Sequence, residues 1–326
     1  MHPSPPTCVL VTGGAGYVGS HAALELLREG LHVIIVDTLE RGSQDTIDRL
    51  KGQGNLTFVQ GDCGSRAVLE PLLGEVDSIM HFAAYARIAE SIEFPDRYHH
   101  NNVEVTRSLL EAAVEADVHR FILSSTCAVY GCPSQIALPV NEDCPLDPQS
   151  PYGVSKIEAE NLVSQVGTLA TGTLRFFNVI GVDASGILTE PVLKARLLSA
   201  CLQTARGLQD QFTIYGTNYD TADGTAVRDF VHVTDIARAH VALMNNMKPG
   251  THQTYNVGCG HGTSVMEVLR AVEKISGQTL STIKAKRRPG DIPAIWADTT
   301  RIQESLDWCP QYKDIEAMVA TSWQSD

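Results

Sequence analysis

Tyr152 and Lys156 are the residues of this chain best suited to moving a proton. Ser150 and Pro151 read as an N-cap followed by a first-turn proline, so Tyr152 and Lys156 fall early on one helix at i and i+4 and share a face. A free tyrosine ionises near ~10 and is a poor base at neutral pH, but a nearby ammonium favours the phenolate and makes the ring a proton acceptor. The strand end Ser124, Ser125, Thr126 offers a hydroxyl to hold the same ligand oxygen and share the proton in flight. Spacing alone also fits two unrelated residues on a solvated helix face, so the case rests on what surrounds them.

The segment TGGAGYVG sets Gly13, Gly16 and Gly19 three residues apart between a strand and a helix. Missing Cβ atoms let backbone amides approach a pyrophosphate, and a helix N-terminus offers unpaired N–H groups and partial positive charge. An ordinary tight turn uses glycine in the same way. The following strand, LHVIIV, ends at Asp37, whose carboxylate suits the ribose hydroxyls of an adenosine and repels a 2′-phosphate. The expected cofactor is therefore NAD rather than NADP, although Arg41 close by keeps that exclusion from being absolute. Asp62 closes a third strand and puts another carboxylate at the same edge, where a helix N-cap or turn role is equally expected.

These groups need a sheet to hold them. Short β-branched runs alternate with helical patterns: Cys8 to Thr12, Leu31 to Val36, Leu56 to Val59, Ser78 to Phe82, Phe121 to Ser124 and Thr173 to Phe177, with a long helical stretch from Pro95 to Ala116 and a helix from Pro151. This predicts an α/β fold, a Rossmann-type doubly wound parallel sheet over residues 1–178. After Asn178 the alternation gives way to a strand near Thr213 to Tyr215, a helix near Val233 to Met244, a strand near Tyr255 to Val257 and a helix from Ser264. Residues 179–326 are expected to form a smaller mixed α/β substrate lobe, with segments exchanged between the two.

A net charge of −13 excludes a general nucleic-acid binder, which needs a basic surface, so an anionic ligand must be held by local devices. The opening Met1 to Pro6 does not read as a secretory signal and no apolar run spans a bilayer, so the expected location is cytoplasmic, with no membrane partner. Eight cysteines, of which Cys127 and Cys132 are the only close pair, suit reduced thiols. No metal site is expected, because the sequential His99 and His100 splay apart on a helix.

The order of glycine turn, acidic ribose residue, hydroxyl strand and YxxxK resembles the extended short-chain dehydrogenase/reductase superfamily, and within it the UDP-glucose 4-epimerases. The resemblance runs through VTGGAGYVGSH (Val11 to His21), HFAAYA (His81 to Ala86), NNVEVT (Asn101 to Thr106), SSTCAVYG (Ser124 to Gly131) and SPYGVSK (Ser150 to Lys156). It continues through LRFFNVIG (Leu174 to Gly181), DGTAVRDFVHV (Asp223 to Val233) and RRPGDIPAIWAD (Arg287 to Asp298), and covers almost the whole chain. It implies that Thr126, Tyr152 and Lys156 carry the chemistry. Gly13, Gly16, Tyr17, Val18, Gly19, Asp37, Asp62, Cys63, Phe82, Ala83, Ala84, Asn102, Ser124, Tyr152, Lys156 and Phe177 would surround NAD. Thr126, Tyr152, Phe177, Asn178, Arg196, Tyr215, Arg228, Arg288 and Asp291 would face a UDP-sugar, the arginines gripping phosphate oxygens through paired bonds. Taken singly, such arginines are as readily explained by surface ion pairing, Arg228 with Asp229 for example.

The reaction implied is oxidation at sugar C4, rotation of the 4-keto sugar and reduction on the other face, in a homodimer built through the helices near Pro95 to Ala116 and Ser150 to Val166. Sister dehydratases and decarboxylases place carboxyl groups directly after the catalytic threonine, where this chain has Cys127 and Ala128, a thiol and a methyl group that cannot readily replace them. A nucleotide-sugar reductase would use NADPH, against which Asp37 speaks, and a non-catalytic NAD-binding protein would have no need of Thr126, Tyr152 and Lys156 together. Three departures mark this chain. Thr189 to Arg196 lacks the usual Asn or His diphosphate contact, with Arg196 as a substitute; Ala86 stands where some members carry lysine; and Ile295 occupies the position whose size bears on sugar choice.

Overall fold

Runs such as Val33–Val36 are apolar at every position because the strands that carry them are covered on both faces. In the computed structural model, which describes residues 6–131, 137–189, 196–288 and 290–324, parity then divides each run. Val9, Val11, Val33 and Ile35 enter one core cluster, while Cys8, Leu10, Ile34 and Val36 enter the cluster on the opposite face.

The elements follow the expected alternation: β1 (Cys8–Thr12), α1 (Tyr17–Arg28), β2 (His32–Asp37), α2 (Gln44–Lys51), β3 (Leu56–Gln60), α3 (Arg66–Leu73) and β4 (Ser78–His81). Then come α4 (Ile88–Glu93), α5 (Pro95–His99), α6 (Val105–Glu115), β5 (Arg120–Thr126), α7 (Pro151–Ser164) and β6 (Ala170–Phe176). The helix expected as one stretch from Pro95 to Ala116 is interrupted by a π-helical segment at His100–Glu104, a wide turn of the kind found beside functional sites. The remaining elements are β7 (Asn178–Ile180), α8 (Leu197–Ala205), β8 (Phe212–Tyr215), β9 (Val227–Arg228), β10 (Phe230–His232), α9 (Val233–Asn246), β11 (His252–Val257), β12 (Thr263–Ser264), α10 (Val265–Ser276), β13 (Thr282–Ala285), β14 (Ala294–Ile295), α11 (Thr300–Leu306) and α12 (Ile315–Gln324).

Seven strands form one parallel sheet in the order β11-β6-β5-β4-β1-β2-β3. The order reverses between β1 and β4, and ligands of such sheets bind beyond the strand C-termini at that point. Helices α1, α2 and α9 supply apolar side chains to one face, and α3, α6 and α7 to the other. Strand β11 and helix α9 lie after residue 178 in sequence yet complete the first lobe. Helices α8, α10 and α12 pack with β8 and β10 in a third core cluster, and the three short strands β12-β9-β14 bring distant segments of the second lobe together. Helix α10 starts where expected, because Ser264 and Glu267 form a reciprocal capping box.

Among the described residues no helix is long and apolar enough to cross a membrane. Cys8, in register with His32, forms with it and Glu75 a group whose ligand-type atoms lie within 4.8 Å of one another. Scattered cysteines and the sequential His99 and His100 gave no sign of that juxtaposition at the N-terminal end of the strands. Cys132 and the stretch Glu190 to Ala195 lie outside the described residues.

The glycine turn yields a stability test. Gly13 has φ +71°, and a Cβ there would sit 2.6 Å from the Ala83 backbone nitrogen, whereas Gly30, φ +79°, has open space around it. Gly30→Ala should cost only the left-handed conformation, about 1–2 kcal/mol, while Gly13→Ala must also displace backbone and should cost more. Urea unfolding of the two variants checks this; equal losses would contradict it.

Candidate active site

At the C-terminal edge of the sheet, a groove of about 370 Å³ is lined by Gly13 and Gly16, by Asp37, Asp62 and Cys63, and by Phe82, Ala83 and Ala84. Its floor is built for close approach. A Cβ on Gly19 would meet the Gly13 carbonyl oxygen at 2.3 Å, so helix and turn touch backbone to backbone. Helix α1, whose first turn holds Tyr17 and Val18, has Gly16 as its N-cap with no side-chain cap, so its leading N–H groups face outward without a side-chain acceptor. Asp37 is held by the amides of Ala15 (3.0 Å) and Leu39 (2.8 Å), and burial pushes its carboxyl up against those two hydrogen bonds. A pyrophosphate at the turn and a ribose diol at Asp37 fit these donors and acceptors, so the residues present accommodate NAD.

Two expected cofactor residues have structural engagements as well. The Asp62 carboxylate accepts the Gly64 amide at 2.8 Å, the turn role anticipated for it, while still lining the groove. Asn102 is buried and fully committed: its amide bonds both the N–H (2.8 Å) and the C=O (3.0 Å) of Tyr85 and the Ser155 hydroxyl (3.0 Å). It pins the segment after β4 to α7, and its neighbours His100 and Asn101 line the groove instead.

Thr126 at the end of β5 and Tyr152 and Lys156 on α7 converge, all three buried. Ser150 caps α7 through the Gly153 amide (3.2 Å) and Pro151 occupies its first turn, which places Tyr152 against the strand end. Thr126 accepts the Ala128 amide at 3.2 Å, which leaves its hydroxyl proton available to favour a Tyr152 phenolate, the one side-chain influence that lowers that phenol.

In the chain by itself the Tyr152 phenol is shifted above all by burial, and beyond that by Thr126, Cys127 and Tyr98. Burial dominates and pushes the phenol well up; the Thr126 hydroxyl offsets only part of this, and Cys127 and Tyr98 add to it. The Lys156 ammonium donates to the Ser124 carbonyl at 2.9 Å, and burial lowers it to about 8 against an opposing pull from Glu160. Cys127, next to Thr126, is pushed up to about 12 by burial, so it is a neutral thiol with no carboxylate-like function.

Glu160 was missed by sequence reasoning, although its i+4 spacing from Lys156 could have flagged it. It lies buried against Arg175 (2.7 Å) and accepts the Ser125 hydroxyl at 2.5 Å, fixing α7 to β5 and β6 one turn beyond Lys156. Arg175 extends the network to Tyr130 (3.1 Å), which donates to Asn256 (2.6 Å) on β11. His81, another unforeseen member, sits between Thr12 (2.7 Å) and Thr106 (2.8 Å) and is held neutral, at about 3, by burial and by the Lys156 charge.

The expected sugar-nucleotide residues lie around the second lobe. Phe177 is buried with Ile295 in a small apolar cluster, and Asn178 is exposed at the start of β7. Arg228 pairs with Asp291 and not with Asp229, because the Asp229 carboxylate is taken by the amides of Cys259 (2.7 Å), Gly260 (3.0 Å) and Ala297 (3.1 Å). Arg288 lies 4.0 Å over the exposed Tyr215 ring. Arg196 stacks 4.2 Å over Tyr17, and its Nη1 is buried with no hydrogen-bond partner among the described residues, a state a phosphate oxygen would relieve.

The depressed Lys156 value fixes a stability trend. A lysine at about 8 in the folded chain and 10.5 in the free state is charged in both below pH 8; between the two values the folded form alone has lost its proton. Wild type should therefore gain stability relative to Lys156→Met as pH rises from 8 toward 10.5, by roughly 1–3 kcal/mol. Paired urea titrations across that range would contradict this if the difference stayed constant or moved the other way.

Residues 9–258 match the model of the NAD dependent epimerase/dehydratase family. UDP-arabinose 4-epimerase 1 of Arabidopsis thaliana is 40% identical over 98% of this chain and 79% of its own length. UDP-glucose 4-epimerase of Azospirillum brasilense is 38% identical over 97% of this chain and 91% of its own. The crystal structure of UDP-glucose 4-epimerase from Bifidobacterium longum in complex with NAD+ and UDP superimposes with a TM-score of 0.91 at 34% identity, covering 98% of both chains. With this fold, this groove and these matches, the chain belongs to the NAD dependent epimerase/dehydratase family.

Proposed function

We propose that this chain inverts the C4 hydroxyl of a UDP-sugar, with UDP-glucose and UDP-galactose as the leading pair, through a 4-keto intermediate. The observation that carries this reading is that Thr126 and Tyr152 act on one another, and Lys156 bonds the Ser124 carbonyl, all three buried at the end of β5 in the sheet whose C-terminal edge also forms the dinucleotide groove. NAD, when bound, supplies a cationic ring that takes the C4 hydrogen with its electron pair and returns it to the opposite face. Tyr152 accepts the O4 proton, Thr126 donates a hydrogen bond to the phenolate as it forms, and Lys156 adds positive charge to a site whose burial otherwise opposes ionisation.

The remaining residues hold the nucleotide so that the keto sugar can turn over. Arg196, Arg228 and Arg288 surround the diphosphate, Asp291 orients Arg228, Tyr215 offers an aromatic face, and Asn178 contacts the sugar. Cys127 and Ala128 bring no carboxyl group, so the keto sugar meets no acid that would drive loss of water or carbon dioxide. A UDP-pentose pair is a second reading, favoured by the match to a plant UDP-arabinose 4-epimerase. Such a substrate lacks the C6 group, and the buried Ile295 lies beside Phe177 in the wall near the sugar residues.

The same reading places the chain in galactose metabolism and in the cytoplasm, the latter on the strength of seven described cysteines present as thiols. It also pairs the chain with a second copy across the face of α5 and α7. Beside that face Ile88 and Ile92 on α4, Phe94 just before α5 and Val154 on α7 are 51%, 62%, 47% and 42% exposed, apolar side chains suited to a homodimer seam.

Tyr152→Phe should retain NAD and lower kcat by about 10²–10⁴-fold, as loss of a general base does. The reaction is followed by NMR of the sugar H4 and anomeric signals with a panel of UDP-sugars and no added cofactor. Interconversion of one C4-epimeric pair is the expected result. A stable keto sugar or loss of the 6-hydroxyl in the wild type, or full activity in Tyr152→Phe, would overturn the assignment.

A further inference from the structure

The loop after β2 and the segment after β4, which both line the dinucleotide groove, are joined by five charged or phenolic side chains. Glu40 accepts hydrogen bonds from the Tyr85 hydroxyl (2.6 Å) and from Arg97 (2.5 Å). Arg41 pairs with Glu90 (2.5 Å), and Arg97 approaches the same carboxylate at 3.6 Å. The guanidinium groups of Arg41 and Arg97 lie 4.0 Å and 4.7 Å from the centre of the Tyr85 ring. Two carboxylates and two guanidiniums thus alternate around one aromatic ring, and Glu40, Arg41, Tyr85 and Arg97 all line the groove.

One side of this arrangement is fixed. Asn102 bonds both backbone polar groups of Tyr85 and ties them to Ser155 on α7, so Tyr85 is part of the rigid lobe. The other side is a surface loop whose Leu39 adopts φ +61°, a conformation a branched side chain holds only when its surroundings compel it. Asp37, which suits the ribose of an adenosine, lines the same groove as Glu40, Arg41, Tyr85 and Arg97.

Resting on that assignment, we infer that Glu40, Arg41, Tyr85, Glu90 and Arg97 form an ionic clasp that sets how long the dinucleotide stays bound. A reaction that regenerates its cofactor in each cycle gains from such retention, because release of the reduced cofactor in mid-cycle would strand a keto sugar. The clasp must part for the adenosine end to leave. Its outer members Arg97 and Glu40 are 47% and 45% exposed, so salt should weaken it, as it does exposed ion pairs. Arg41 is thereby committed to Glu90 and Tyr85, which removes it as a partner for a 2′-phosphate.

The test is the dissociation rate of NAD labelled in its adenine, measured on the whole protein by chase with excess unlabelled NAD. Arg97→Gln and Glu40→Gln should each accelerate release by roughly 2- to 5-fold, and the double variant should show less than the product of the two. Raising salt from 50 to 500 mM should accelerate the wild type by a similar factor and the double variant little. NAD that binds the wild type but leaves at one rate in all variants, at both salt concentrations, would overturn the clasp while leaving the groove assignment standing. A wild type that does not bind NAD at all would overturn both. Circular dichroism melts confirm that each variant is folded.

Discussion

An ammonium group, that of Lys156, sits almost wholly out of water at the C-terminal end of β5, and much of the surrounding structure serves to keep it there. One hydrogen bond to the Ser124 carbonyl and the carboxylate of Glu160 one turn further along α7 are its compensation, and burial still draws it down to about 8. Glu160 in turn is held by Arg175 and Ser125, so the charge environment of Lys156 and the seam between α7, β5 and β6 are one object. The Tyr152 phenol faces the same shortage of solvent with only Thr126 to help it. A buried phenol that resists ionisation is poised to respond to positive charge brought in by a ligand, which under the proposed reaction ties proton transfer to the cofactor.

The same logic of local compensation explains how a chain of net charge −13 can hold an anionic cofactor and an anionic substrate. At the glycine turn the uncapped start of α1 provides the donors, and glycine is required there because backbone meets backbone. Around the second lobe, arginines are kept aimed by neighbours: Asp291 for Arg228, the Tyr215 ring for Arg288 and the Tyr17 ring for Arg196. Asp229 contributes indirectly, its carboxylate gathering three backbone amides from two segments so that β9 and β14 stay in register beside Arg228.

Most of the first lobe was legible in the sequence because buried parallel strands and amphipathic crossovers leave strong periodic signals, and the glycine turn and YxxxK are local in sequence. What was not legible depends on side chains far apart in the chain. The partner of Arg228 is 63 positions away, and nothing near Asp291 announces it. Helical spacing puts Lys156 on the Tyr152 face of α7, but spacing says nothing of the Ser124 carbonyl that a strand 32 residues earlier presents to it. The π-helical turn at His100–Glu104 is hidden for a similar reason, since the pattern of apolar residues on either side is compatible with one uninterrupted helix. The return of α9 and β11 to the first lobe is a matter of topology that a local pattern does not encode.

The claim on which the chemistry turns is that positive charge at the site converts a reluctant Tyr152 into a base. It is tested most directly by titrating the tyrosine ring carbons by NMR in protein labelled with 13C at tyrosine Cζ, with and without NAD, using Tyr152→Phe to assign the signal. The account predicts a Tyr152 resonance that stays protonated above pH 10 in the free protein and titrates several units lower once NAD is bound, with part of that drop lost in Lys156→Met. A Tyr152 signal that titrates at the same high pH in both states would contradict it.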